Sequence, residues 1–298
     1  MVRRFISASA SEIAAMQAQE LKQSIKASEG RVIVSENVCS VPTLTDVTNS
    51  EVAVAYGADM ILLNAFDALH PYIEGIEKDV ENPIAVLKRY IGRPVGVNLE
   101  PVDPGSTLLS EKEEILEGRI SSVSTFEACE KLGVDFICLT GNPGTGVTNR
   151  EIAKAVRVAK QHFSGLIIAG KMHSAGSDEP VVTMEVVESY AEAGANVLLL
   201  PSVGTIQGFT QENLMEAVRL AKKHDLLTMS AIGTSQEGAR VETIRQMAIA
   251  NKICGVDMQH IGDAGFAGVA LPENIYEMSI AIRGIRHTIS RISRSINR

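Results

Sequence analysis

Residues 132–140 read LGVDFICLT, and the pattern returns as YGADMILLN at 56–64, AGANVLLLP at 193–201 and CGVDMQHIG at 254–262. Each copy is a glycine, one small aliphatic residue, Asp or Asn, and then a short apolar run. The glycines (Gly57, Gly133, Gly194 and Gly255) stand 76, 61 and 61 residues apart. A glycine just past a helix supplies the left-handed residue that stops it. The apolar runs have the length of strands buried on both faces, as in parallel sheets. Four more such runs fall between them: RVIVSENV (31–38), PVGVNLEPV (94–102), LIIAGKMH (166–173) and LLTMSAIG (226–233). Residues 43–56, 122–132, 149–163, 183–193, 211–223 and 241–253 carry apolar side chains at helical spacing. Thr148 and Glu151 have the spacing of a capping box, and Thr210 stands at another expected helix start. Eight strands, each followed by a helix and all preceded by a helix at 11–27, predict an α/β fold: a (β/α)8 barrel of eight parallel strands. A doubly wound sheet is the rival. It usually has fewer strands and a Gly-rich turn after the first, where this chain has Ser35-Glu36-Asn37.

The reading gives a single domain, 1–298, with an N-terminal helical extension (1–30), the barrel (31–285) and a basic C-terminal tail (286–298). That tail reads as the solvated end of a final helix. The connections at 67–81 and 103–120 are long and suit lids or contacts in a homo-oligomer. Hydrophobic residues make up 45% and charged residues 21%, which argues against disorder. Cys39, Cys129, Cys138 and Cys254 are too scattered for a disulfide framework or zinc site, so they read as buried thiols of a cytoplasmic protein. A formal charge of −8 and 4% aromatics argue against nucleic acid as a partner. The longest apolar runs are too short for a membrane span or signal peptide.

Barrels place their chemistry at the C-terminal ends of the strands. The candidates there are Glu36 and Asn37, Asn64, Asn98 and Glu100, Thr140 and Asn142, Lys171 and His173, Ser202, and His260 and Asp263. Lys171 ends an apolar strand, where desolvation lowers its pKa and a neutral amine could form a Schiff base. A charged Lys171 paired with Glu36 or Glu100 is the plainer alternative. His173 lies two positions on and could move a proton. Glu36, Glu100, Asn98 and Asp263 could also hold Mg²⁺, although no ligand spacing marks a metal site. The loops after the sixth to eighth strands are rich in small residues: Gly204, then Gly233, Thr234 and Ser235, then Gly262 and Gly265. Backbone amides there could hold a phosphate, provided that Glu237 and Asp263 point away. A third Gly-rich stretch, 140–148, suits a polar loop over the mouth.

With these loops at its end, the stretch 31–285 resembles the broad group of phosphate-binding (β/α)8 barrels. These include the histidine- and tryptophan-biosynthesis barrels, the ribulose-phosphate epimerases and the Schiff-base aldolases. The resemblance implies a lyase or isomerase acting on a small phosphorylated carbonyl metabolite. Mg²⁺-dependent enolate chemistry of the phosphoenolpyruvate mutase and isocitrate lyase type is a second expectation, although that group's Lys-Lys-Cys-Gly-His stretch is missing. A non-catalytic barrel that binds a phosphometabolite and regulates a partner is the third.

Overall fold

The computed structural model describes residues 2–109 and 111–298. Eight parallel strands close on themselves in sequence order: β1 (Val32–Val38), β2 (Met60–Asn64), β3 (Val95–Leu99), β4 (Phe136–Leu139), β5 (Leu166–Gly170), β6 (Val197–Pro201), β7 (Leu227–Ile232) and β8 (Met258–Ile261). The seam between β8 and β1 runs from Val32 opposite Met258 to Ser35 opposite Ile261. The expected (β/α)8 barrel is therefore present.

The four repeated segments have a common structural job. Gly133, Gly194 and Gly255 cap helices with left-handed backbone, and Gly57 (φ 115°) follows the same course one residue past its cap. The Asp or Asn two residues later reaches back to the strand before it. Asp59 accepts from the Ile33 amide, Asp135 from Val95, Asn196 from Ile167 and Asp257 from Thr228, at 2.8–2.9 Å. At each of these four positions an even-numbered strand satisfies an amide near the start of the odd-numbered strand beside it, at the end where the sheet runs out of partners. The repeat thus encodes the bottom rim of the barrel and carries no chemistry at the mouth.

Side chains alternate across the sheet. Val32, Val34, Met60, Leu62, Phe136, Cys138, Leu166, Ile168, Leu199, Met229 and Met258 pack in the lumen, while their neighbours join the outer core under the helices. The helices are α1 (Ala10–Ala14), α2 (Ala18–Lys26), α3 (Asn49–Ala55), α4 (Pro83–Ile91), α5 (Val123–Leu132), α6 (Asn149–His162), α7 (Met184–Ala193), α8 (Gln211–Lys223), α9 (Val241–Cys254) and α10 (Pro272–Ile292). Where one N-terminal helix was expected there are two, because a second capping box of Gln17 and Glu20 restarts the chain. Phe5, Leu21 and Ile25 join the lumen cluster, so this segment plugs the bottom of the barrel. Helix α3 begins later than its apolar spacing suggests, since Asp46 turns left-handed between the bridged Leu44 and Val47.

The basic C-terminal stretch differs most from expectation. Helix α10 runs to Ile292, past the expected boundary at 285, and bends at Gly284. Arg283 and Arg291 are buried and both bind Asp59, with the Arg291 Nε–Oδ1 distance at 2.8 Å. They tie the last helix to the barrel floor instead of facing solvent. Among the described residues no helix is long and apolar enough to cross a membrane.

Candidate active site

A cavity of about 510 Å³ opens at the C-terminal end of the barrel. Glu36, Asn64, Asn98, Thr140, Asn142, His173, Gly233, Thr234, Ser235, Gly262 and Asp263 all line it, from strand ends and the loops that follow them. The structure adds Glu237, Ser174 and Leu109, which sequence reasoning did not nominate.

Glu36 points into the lumen and is 4% exposed. One carboxylate oxygen accepts from the Asn98 amide, and the other lies 3.1 Å from His260 Nε2. That pair is close but not aligned for a hydrogen bond, so both nitrogens of the fully buried His260 lack a partner among the described residues. Asn64 donates to Asp263 Oδ2 at 2.8 Å and exchanges two amide hydrogen bonds with Asn142. Glu237 accepts from the Ala264 amide at 2.9 Å through Oε1, while Oε2 has no partner among the described residues. A Cβ at position 262 would fall 2.6 Å from Glu237 Oε1, so Gly262 makes room for this carboxylate. Asn98 Oδ1 and Thr140 Oγ1 are also buried without partners. Buried polar atoms are nearly always satisfied, so a group of orphans around one cavity marks where ordered water or a ligand supplies the missing bonds.

The titratable groups are tuned by this enclosure. Burial, reinforced by the negative charge of Glu36, raises the Asp263 carboxyl to about 7. Burial likewise raises Glu237. His173 is pulled down by burial, and its Nδ1 accepts from the Ala175 amide at 2.9 Å, which leaves the proton of the neutral ring on Nε2. Thr234 and Ser235 are successive non-glycine residues in the left-handed region (φ 58° and 68°), a costly conformation typical of functional loops.

Several candidates lie elsewhere. Lys171 faces the outer layer, since Met172 takes the lumen position after Ile168. Its side chain is inaccessible, and Nζ donates to Val147 O (3.1 Å), Ser177 Oγ (2.7 Å) and Glu179 Oε1 (3.0 Å). Its partner is therefore Glu179, neither Glu36 nor Glu100. Glu100 sits behind the mouth and is filled by Arg119 Nη2 and both nitrogens of Asn142, so it places Asn142. Asn37 alternates outward from Glu36 and donates to Ser35, and Ser202 is outward and bonded to Asn251. His260 is in the lumen beneath Glu36 but does not line the cavity. Gly204 opens on the groove between α8 and α9, and Gly265 also stays outside the mouth.

Two chemical consequences follow. Glu237 and Asp263 both line the mouth instead of pointing away, which counts against a phosphate there. Among the described residues no lysine or arginine lines the cavity. No three His, Cys, Asp or Glu side chains among the described residues converge as metal ligands either. Each carboxylate is instead turned to its own amide partner, and a Mg²⁺ ion does not fit the arrangement.

Solved structures share the fold at low identity. The carboxyl transferase domain of Rhizobium etli pyruvate carboxylase, solved with pyruvate, is 10% identical, with 98% of this chain and 53% of that one covered and a TM-score of 0.55. The 2,3-dimethylmalate lyase, a PEP mutase/isocitrate lyase superfamily member, is 14% identical over 96% and 95%, with a TM-score of 0.53. An archaeal fructose 1,6-bisphosphate aldolase is 16% identical over 86% and 95%, with a TM-score of 0.52. No curated protein matches the sequence. One family model does, over residues 6–298, and its description is "Domain of unknown function (DUF7916)".

Proposed function

We propose, for a chain that belongs to the family of the domain of unknown function DUF7916, a lyase-type enzyme that cleaves or enolises a small, uncharged, hydroxylated carbonyl compound. The observation that carries this reading is the lining of the mouth. It combines amides and hydroxyls with three carboxylates and no cationic side chain, and one of those carboxyls is poised at about 7. Hydroxyl-rich ligands suit such walls, whereas a phosphate dianion would meet Glu36, Glu237 and Asp263.

Asp263 acts as the general acid–base, because a group titrating near neutrality both takes and returns a proton effectively. In the cleavage direction its carboxylate removes the proton of a β-hydroxyl. The bond between the α and β carbons then breaks, and its electron pair forms an enolate. Neutral His173 holds the enolate oxygen through Nε2–H. The proton on Asp263 passes to the α carbon and completes the balance. Enolisation uses the same groups, with Asp263 taking the α proton directly. Lys171 belongs to the scaffold in this scheme, and the chemistry runs without a Schiff base. The lyase and aldolase among the solved structures of this fold support the reading as relatives in architecture.

The test is a ¹H NMR screen in D₂O for α-proton exchange or cleavage across short ketoses, aldoses and hydroxyketones, each beside its phosphate ester where one exists. Turnover of an uncharged hydroxycarbonyl compound is expected, falling by about 10²–10⁴-fold in Asp263→Asn. Turnover confined to phosphate esters, or full activity in Asp263→Asn, would refute the reading.

A further inference from the structure

At the opposite end of the barrel a second cavity, of about 410 Å³, opens between α1, the turn from α4 into β3, and the segment after α10. Its walls are of two kinds. Ile13, Met16 and Leu21 supply an apolar side, and Lys88, Arg89 and Arg93 a cationic one. Asp135 is the one acidic side chain among the described lining residues. Both its oxygens are engaged, by Lys88 Nζ and by the Val95 amide, at 2.8 Å each.

Arg93 is 5% exposed. Its terminal nitrogens donate to the main-chain oxygens of Gly92 (3.1 Å) and Arg291 (3.0 Å), and Nε has no acceptor among the described residues. Arg291 Nη2 is also buried without a partner among them. The carboxylate side chains nearby are already taken. Asp59 is bound by Arg283 and Arg291, which leaves Arg93 without a carboxylate of its own. Burial, with the charge of Arg291 adding to it, pulls the Arg93 guanidinium down to about 9. An enclosed guanidinium with an unmet donor, beside an open cavity with further cations, is the setting that an anion stabilises.

We propose that this cavity binds a small amphipathic oxyanion. Its carboxylate or phosphate head meets Arg93 and Arg89, with Lys88 at the rim, and its apolar body lies on Ile13, Met16 and Leu21. The site is independent of the chemistry assigned to the mouth. It sits at the N-terminal end of the barrel, away from the face that carries chemistry in such folds, so its occupant acts on the stability of the plug and floor. The probes are inorganic phosphate, acetate and hexanoate at low ionic strength, read by the thermal midpoint and by ¹⁵N NMR titration. A ligand specific to the folded state raises the midpoint in a concentration-dependent way. Phosphate or hexanoate is expected to do so, hexanoate binding several-fold more tightly than acetate, with at least a tenfold loss of affinity in Arg93→Gln. Should Arg93→Gln fail to fold, the exposed Arg89→Gln reads the same contact and is expected to lose several-fold. No rise with any probe, or an equal rise in the wild type and the variants, would overturn the proposal. Equal affinity for acetate and hexanoate would overturn its amphipathic part.

Discussion

At the scale of single residues, Asp263 is the most informative group. Its folded-state pKa lies well above the usual carboxylate value, so ionising it opposes folding. The stability that it contributes is full below about pH 4 and is lost as pH rises through about 7. Asp263→Asn is therefore expected to melt above the wild type at pH 8 by a few degrees, at roughly 2 °C per kcal/mol for a chain of this size. The two should converge below about pH 4. Thermal melts across that range check this, and a difference that is constant with pH would show that the carboxyl is not perturbed. The same substitution is expected to slow turnover by about 10²–10⁴-fold, the trade expected where a group is held in an unfavourable state for function.

At the scale of elements, the loops after β4 and β5 form one structure over the mouth. Leu109 donates to Gly176 and Glu113 to Gly144, which brings in the loop after β3 as well. Lys171 is their common anchor through Val147, Ser177 and Glu179. Lys171→Met is expected to destabilise the protein by about 1–3 kcal/mol, below the range for a fully buried pair because Glu179 is partly exposed. It should also speed proteolysis between residues 140 and 180. Borohydride added with a turned-over substrate should trap no adduct on Lys171 in the wild type, checked by peptide mass. The barrel itself was legible because apolar runs and glycine stops are local signals. So were Glu36, Asn64 and Asn98, whose strand positions fix the side on which they emerge, whereas Asp263 reaches the mouth from the loop past β8. Lys171 was misplaced because alternation along β5 was not applied to it: Leu166, Ile168 and Met172 face inward, which puts Lys171 on the outer side with Ile167 and Ala169. Glu237 was missed because a short helical turn (Gln236–Gly238) carries it back under Gly262, a contact that sequence spacing does not encode.

At the scale of the molecule, charge is separated along the barrel axis. The mouth is acidic and the floor is basic, although the chain as a whole carries −8. The floor depends on Asp59, which is fully buried and receives Ile33, Arg283 and Arg291. Burial alone would raise its pKa, but the two arginines more than offset this and hold it low. Asp59→Asn would leave two enclosed guanidinium groups without an acid. It is expected to cost about 3–5 kcal/mol, measured by urea unfolding; a loss below about 1 kcal/mol would show that the cations are satisfied in another way. Asp59 also lies 224 and 232 residues ahead of these partners. A ribosome adding about 5–20 residues per second needs roughly 10–50 s to deliver them. Through that interval the nascent chain must leave Asp59 in water and the floor open. Closure of the barrel, and with it assembly of the mouth from β1 and β8, is an event that follows synthesis of the last helix.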